Sequence, residues 1–336
     1  MQNKSHFLGI DVSKETLDYA LIDAFDKVLL QGVINNNGRG FALLEKELIR
    51  FGITLANVLF GMENTGLYCN IFKAHAVTKS WDLVVEHPFE IANSKGLRRN
   101  KTDADDAIMI AIYLRKNINK LKIYVPDNEI VTELKRLQSS REFLLKQKHQ
   151  IERHLTEMEK FIPKTEYKIL EETLNHSIMG TQKSIVAINK QIDEVLQKDE
   201  EITNNQGIIE SIPGIGRETA VALICATNNF KNINDPRKIS CHAGVVPYLK
   251  DSGTSVKSKP RVSRFANKFL KKRLHMAALS AVRWCGPIKR YYERKVAEGK
   301  NKMSVLNAVR NKLVHVVCAL VEKNEQYDKN YINLLA

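Results

Sequence analysis

The stretch from residue 128 to residue 200 contains one glycine, Gly180, and one proline, Pro163. On both sides of Pro163, apolar residues recur at helical spacing with charged residues between them. A stretch with this pattern and almost no turn-forming residues can fold only into long helices. We therefore predict two long antiparallel helices hinged near Pro163, which form a coiled-coil arm over residues 123–203.

The residues before this arm predict an α/β domain over residues 1–122. Three strand-like runs lie within residues 6–35 and are separated by short turns, which indicates an antiparallel meander. Further along, helical patterns alternate with strand-like runs, at residues 37–52, 57–66, 66–80 and 81–88, and a last helix begins near Thr102. This order is typical of a mixed sheet with helices on its faces.

The C-terminal part, residues 204–336, has a mostly helical pattern. The turn "SIPGIG" (211–216) joins two predicted helices and is similar to a helix-hairpin-helix element. In such a turn the amides of Gly214 and Gly216 can approach a nucleic-acid phosphate closely.

Positive charge is concentrated in the C-terminal part. The formal net charge is +14, and residues 235–302 hold 18 Lys and Arg against four Asp and Glu, so this region alone accounts for the whole excess. Such a region favours a polyanion as partner. With the cations beside the aspartate cluster described next, the candidate nucleic-acid contacts are Arg98, Arg99, Lys101, Lys257, Lys259, Arg261, Arg264, Lys268, Lys271, Lys272 and Arg273.

Candidate metal ligands lie in the N-terminal part. Asp11 and Glu63 stand at the ends of apolar strands, where sites assemble in mixed sheets. In "KTDADDA", Asp103 and Asp106 are three positions apart and share a helix face, whereas Asp105 lies on nearly the opposite side. Four carboxylates in one pocket repel one another unless divalent cations neutralise them, and two Mg²⁺ ions about 4 Å apart are a standard device for phosphodiester displacement.

A nucleophile is harder to choose from spacing. The basic loop offers several hydroxyl groups that a metal or a base could activate: Tyr248, Ser252, Thr254, Ser255, Ser258 and Ser263.

These motifs together resemble one protein family. "GIDVSKETLD", "MENTG" and "LRRNKTDADDA" are similar to the N-terminal domain of the serine-dependent DEDD transposases of bacterial insertion sequences (insertion-sequence family one-hundred-ten). "SIPGIGRETAVALI", "AGVVPYLKDSGTSV" and "SRFANKFLKKRLHMAAL" are similar to its C-terminal domain. The two sets of motifs occur in the family's order and span nearly the whole chain.

The resemblance implies a RuvC-like, RNase H-type N-terminal domain, a coiled-coil arm and a helical transposase domain. It implies Asp11, Glu63, Asp103 and Asp106 as catalytic ligands of Mg²⁺, two ions per site with Mn²⁺ as a substitute, and Ser252 as the nucleophile. It further implies donor and target DNA, a noncoding bridge RNA encoded by the element, a homo-oligomer (dimer or tetramer), no membrane, and a bacterial cytoplasmic location at the nucleoid.

Some features depart from the family pattern. "GVVP" stands where the family usually has "GLTP", and the extra acid Asp105 could substitute in part for Asp106. Three other hypotheses stay open: a metal-only nuclease of Holliday-junction type, in which water attacks; a non-catalytic nucleic-acid-binding protein; and Tyr248 as the nucleophile, although no organised Arg and His set surrounds it.

The N-terminal residues, the hydropathy and the cysteines indicate the cellular compartment. The N-terminal residues enter a strand pattern without an apolar leader, and no apolar run approaches the roughly 18 residues of a membrane span. The five cysteines are scattered without a CxxC pair, which favours reduced thiols.

Overall fold

A computed structural model describes residues 4–94, 103–248, 262 and 266–328. The chain divides into two compact units, Met1–Pro126 and Asp127–Ala336. The predicted finer division, with a separate arm over residues 123–203, stays a prediction.

The first unit is built on a five-stranded mixed sheet with the order β3-β2-β1-β4-β5. The first three strands form the predicted antiparallel meander, and β4 and β5 add to it in parallel. The strands are β1 (His6–Val12), β2 (Thr16–Asp23), β3 (Val28–Asn35), β4 (Val58–Glu63) and β5 (Leu83–Glu86). The predicted mixed sheet is confirmed.

Helices cover both faces of this sheet. They are α1 (Gly38–Arg50), α2 (Asn70–Thr78), α3 (Pro88–Ser94) and α4 (Asp103–Asn117). One core layer lies beneath α1 and α2 around Phe41 and Phe72, and the other lies beneath α4 around Ile110 and Leu114. Helix α3, which follows the predicted stop at Pro88, was not predicted because Pro is as common at the first turn of a helix as at the end of a strand.

Two glycines bring α4 against the sheet. Gly9 of β1 and Gly61 of β4 are register partners on adjacent parallel strands. A Cβ atom on Gly9 would lie 2.1 Å from the Ala107 carbonyl oxygen, and one on Gly61 would lie 2.5 Å from a Leu114 methyl carbon. Because both positions lack a side chain, the α4 backbone rests almost directly on the strands.

The other end of α4 is held by an ion pair. Arg115 donates to both carboxylate oxygens of Asp26, at 2.5 and 2.6 Å, and both side chains are partly covered. Asp26 lies in the turn between β2 and β3 and has a positive φ of 66°. The bidentate geometry fixes the C-terminal end of the helix relative to the meander.

The second unit is helical throughout its described part. Its helices are α5 (Glu129–Met158), α6 (Lys164–Leu196), α7 (Glu200–Glu210), α8 (Arg217–Thr227), α9 (Pro236–His242), α10 (Lys268–Trp284), α11 (Gly286–Ala297) and α12 (Lys302–Lys323). Arg141 donates to Asn189, and Lys148 donates to Gln182. Since the partner's number falls as the donor's rises, α5 and α6 run antiparallel, and the predicted pair of long helices is confirmed.

Helix α12 is central to the second unit. Among the described residues it is the one helix long and apolar enough, by length and composition, to cross a membrane. Its apolar residues Val309, Leu313 and Val317 are fully buried against the other helices. We interpret it as a core helix.

We expect Gly9→Ala to lower the free energy of unfolding of the first unit by about 3 kcal/mol, because the added methyl group would collide with α4 backbone atoms that cannot rotate away. Urea denaturation followed by circular dichroism measures the change.

The matched control is Gly180→Ala in α6, where an added Cβ meets nothing within 4 Å. This variant should gain about 0.5–1 kcal/mol, since alanine is the better helix former. Equal effects of the two substitutions would contradict the role that we give to Gly9.

Candidate active site

The predicted acids occupy one face of the first unit. Side chains alternate along a strand, so Asp11 lies on the same face as Gly9, and Glu63 on the same face as Gly61. Both therefore face α4. Asp103 and Asp106 belong to the first turn of that helix, and Asp106 directly precedes Ala107, whose carbonyl oxygen lies against Gly9. The glycine contact thus places the acids of the helix beside those of the strands.

The charges of the four acids interact. The pKa of Asp11 is raised from 3.8 to about 6, first by burial and then by the negative charges of Asp106, Asp103 and Glu63. Asp105 is not among these charges, which agrees with its predicted place on another side of the helix. In the part of the chain that the structure describes, no three His, Cys, Asp or Glu side chains converge tightly enough to form a metal site as they stand.

The donor set nevertheless fits a hard divalent cation. Carboxylate oxygens are the ligands that Mg²⁺ prefers, and a cation would offset the repulsion that raises the pKa of Asp11. Asp11, Glu63, Asp103 and Asp106 are the residues that could hold it.

Two further acids extend the row across the sheet. Asp18 of β2 is the register partner of Asp11, and Glu86 of β5 is the register partner of Glu63. Burial and the charge of Asp103 raise the pKa of Asp18. Our sequence reasoning missed both residues, although the alternation of "TLDYALID" and "LVVE" could have placed them once the strand order was known.

Several predicted residues lie outside the described residues, so their surroundings stay predictions. They are the nucleophile candidate Ser252 and the cations Arg98, Arg99, Lys101, Lys257, Lys259, Arg261 and Arg264.

The "SIPGIG" turn lies between α7 and α8, as predicted. Gly214 has a φ of +98°, and a Cβ there would lie 2.5 Å from the backbone nitrogen of Ala281 in α10. Gly216 precedes α8, and a Cβ there would meet nothing within 4 Å. Packing therefore accounts for Gly214, whereas Gly216 remains open to a ligand; phosphate binding by this turn stays a prediction.

The predicted basic helix is α10, and its four cations differ in their surroundings. Lys268 is exposed and has no acidic partner among the described residues. Arg273 forms ion pairs with Glu142 and Glu218 and is largely covered, and Lys272 lies 3.9 Å from Glu142. Lys271 is half-buried near Arg310 of α12. Lys268 is thus the cation of this set most available to a phosphate.

Two family models match the chain. One, described as a transposase, matches residues 8–160, and the other, described as a transposase of the IS116/IS110/IS902 family, matches residues 206–293. The chain belongs to this transposase family. As a member it is a DNA transposase or recombinase, which confirms the enzyme class implied by the resemblance.

Individual relatives agree with this assignment. The transposase is 25% identical to the pilin gene-inverting proteins of Moraxella bovis and Moraxella lacunata, over 96% of its own length and 98% of theirs. A RuvC structure from Thermus thermophilus, in complex with a Holliday junction substrate, matches 36% of this chain and 99% of that chain, with 11% identity and a TM-score of 0.28. The structure confirms the predicted mixed sheet of the N-terminal part and the mostly helical remainder.

We expect Asp11→Asn to stabilise the metal-free transposase increasingly as the pH rises from 3.8 to about 6. The folded protein binds the Asp11 proton more tightly than the unfolded chain, so the wild type loses stability over this range, whereas Asn cannot ionise. The difference should reach the order of 1–3 kcal/mol at neutral pH. Urea denaturation with a chelator at pH 4 and pH 7 measures it.

Substitutions in α4 test which charges raise the pKa of Asp11. Carboxyl NMR should show a lower Asp11 pKa in Asp106→Asn and an unchanged one in Asp105→Asn. A stability difference for Asp11→Asn that is equal at both pH values would contradict the raised pKa.

Proposed function

We propose that this transposase cuts and joins DNA strands through a covalent serine–DNA intermediate, with Ser252 as the nucleophile and Asp11, Glu63, Asp103 and Asp106 as the Mg²⁺ ligands. The observation that carries the proposal is electrostatic: burial and then the negative charges of Asp106, Asp103 and Glu63 raise the pKa of Asp11. A patch of like charges is costly for the free protein and is useful where it binds a cation.

Mg²⁺ or Mn²⁺, one or two ions per site, would supply positive charge against the phosphate and its departing oxygen. The four acids would hold and orient that charge. Asp105 stays outside this set in our proposal.

In the proposed reaction, the Ser252 side chain exchanges one bond of the phosphodiester for a bond to the protein. The Ser252 hydroxyl oxygen forms an ester bond with the phosphorus and loses its proton to solvent or a base, while the bond from phosphorus to one deoxyribose oxygen breaks and that oxygen takes up a proton. In the joining step a strand-end hydroxyl attacks the same phosphorus, loses its proton, and releases the serine, whose oxygen is protonated again. The bond energy of the phosphodiester is thus retained without an external energy source.

The relatives support an activity on two DNA sites. The Moraxella relatives are named pilin gene-inverting proteins, and inversion of a gene requires cutting and rejoining at both of its ends. We propose donor and target DNA as substrates, a noncoding bridge RNA of the element as the guide, and a dimer or tetramer as the active form. The bacterial cytoplasm, at the nucleoid, is the location that fits these partners.

Covalent trapping tests the chemistry. Incubation with flanking RNA, labelled donor and target DNA and Mg²⁺, followed by denaturation, should yield a protein-linked DNA band. The band should disappear in Ser252→Ala, which lacks the nucleophile, and in Asp11→Ala, which lacks a metal ligand.

Ser258→Ala, from the same basic loop, is the matched control and should keep the band. Cleavage without an adduct, unchanged in Ser252→Ala, would replace our proposal with the metal-only nuclease. DNA binding without cleavage in any condition would favour a non-catalytic binding protein.

We also expect DNA affinity to fall steeply with salt, because bound phosphates release counterions. Lys268→Ala should weaken binding and reduce the slope of log affinity against log salt by about one, since this exposed lysine neutralises one phosphate. Fluorescence anisotropy at several salt concentrations measures the slope.

Lys190→Ala, in which the lysine is paired with Glu194 on α6, serves as the control and should leave the slope unchanged. An affinity that hardly varies with salt would argue against phosphate binding by α10.

A further inference from the structure

The second unit buries an arginine that has no acidic partner among the described residues. Arg310 of α12 is only 6% exposed. It donates from Nη2 to Nδ1 of His275 at 2.6 Å and more weakly from Nη1 to Oδ1 of Asn307 at 3.4 Å. Its Nε atom is buried without a hydrogen-bond acceptor, and no carboxylate in the described part of the chain pairs with it.

Lys271 and His275 are the ionisable neighbours of Arg310, and of these two Lys271 adds positive charge. Lys271 and His275 lie four positions apart on one face of α10, and both are half-buried. Burial and then the charge of Arg310 lower the pKa of each. Because His275 accepts a hydrogen bond at Nδ1, its neutral ring carries its proton on Nε2 and can donate there. The cluster therefore offers several donors and, among the described residues, no negative charge.

Arg273, on the same helix α10, shows what an arginine with a structural role looks like in this unit. Its side chain is 15% exposed, and two carboxylates, Glu142 and Glu218, neutralise its charge. A buried charge without such a partner destabilises the fold by leaving its desolvation uncompensated. Arg310 therefore differs from Arg273 in having no carboxylate partner among the described residues, so the cost of burying its charge is not offset.

The cluster lies beside the chain that leads into the basic loop. Asn307 donates to the carbonyl oxygen of Val245 at 2.6 Å, and a Cβ on Gly244 would lie 3.8 Å from Cδ of Lys271. Val245 precedes Ser252 by seven positions in the sequence.

We propose that Arg310, Lys271 and His275 form a phosphate-binding site that holds a phosphodiester of the nucleic-acid substrate in the transposase domain. This inference rests on the proposed function, since it assigns the residues that grip the phosphate. The guanidinium fork suits two phosphate oxygens at once, and a phosphate would supply the negative charge that the described surroundings of Arg310 lack.

The experiment compares Arg310→Met with Arg273→Met in the full-length protein. Thermal unfolding is measured with inorganic phosphate and with chloride at equal ionic strength. In the wild type, phosphate should raise the midpoint more than chloride does. Arg310→Met should unfold at the same or a higher temperature without phosphate and should lose the phosphate-specific shift. Arg273→Met should unfold at a lower temperature and keep that shift.

Two results would overturn the site: no phosphate-specific shift in the wild type, or retention of the shift in Arg310→Met whatever its midpoint. If Arg310→Met does not fold, Lys271→Met provides the same comparison at a half-buried position, with loss of the shift expected and its retention counting against the site.

Adduct formation separates this inference from the proposed function. Arg310→Met should form the serine–DNA adduct at least about tenfold more slowly than the wild type, because a charge-assisted contact to the phosphate is lost. An unchanged rate would overturn the phosphate site and leave the serine chemistry standing. If the wild type forms no adduct, the proposed function fails, and the phosphate shift alone decides the site.

Discussion

The close approach of α4 to the paired glycines of β1 and β4, by its backbone at Gly9 and by the Leu114 side chain at Gly61, is the constraint on which the candidate active site depends. Ordinary side chains at positions 9 and 61 would separate the helix from the sheet by the thickness of a side-chain layer. With glycine at both positions, the helix lies close enough for the acids of its first turn to interact electrostatically with those at the strand ends. The pair of Arg115 with Asp26 holds the opposite end of the same helix.

Both units concentrate like charges in places where that concentration costs stability. The first unit gathers carboxylates around Asp11, and the second gathers cations around Arg310. A nucleic-acid enzyme needs both kinds of patch, because a phosphodiester carries negative charge itself and is bound by carboxylates only through a cation. In our proposal, the acids around Asp11 would hold the cation and the cluster around Arg310 would bind a phosphate directly.

Much of the architecture could be predicted because its signals are local. Alternation gave the meander, the lack of glycine and proline gave α5 and α6, and the three-residue spacing of Asp103 and Asp106 separated them from Asp105. The rest depends on pairings between distant segments. Asp18 and Glu86 join the row of acids only through the register of β2 and β5 with their neighbours. Arg310 has no local signal, since only the packing of α12 against α10 shows that its charge is buried and that no described acid pairs with it.

The glycine contact also fixes where the acids of α4 lie relative to the part of the helix that is buried against the sheet. The helix is positioned at Ala107 and Ala111, and the acids Asp103 and Asp106 lie within about one helical turn before Ala107. Insertion of one residue between Asp106 and Ala107 would rotate the acids by about 100° around the helix axis while leaving the buried part of α4 in register with the sheet. In our proposal, a protein with this insertion would keep the buried contacts of α4 but would lose the arrangement of acids that strand cleavage needs. Within this family, an intact fold is therefore no guarantee of an active element.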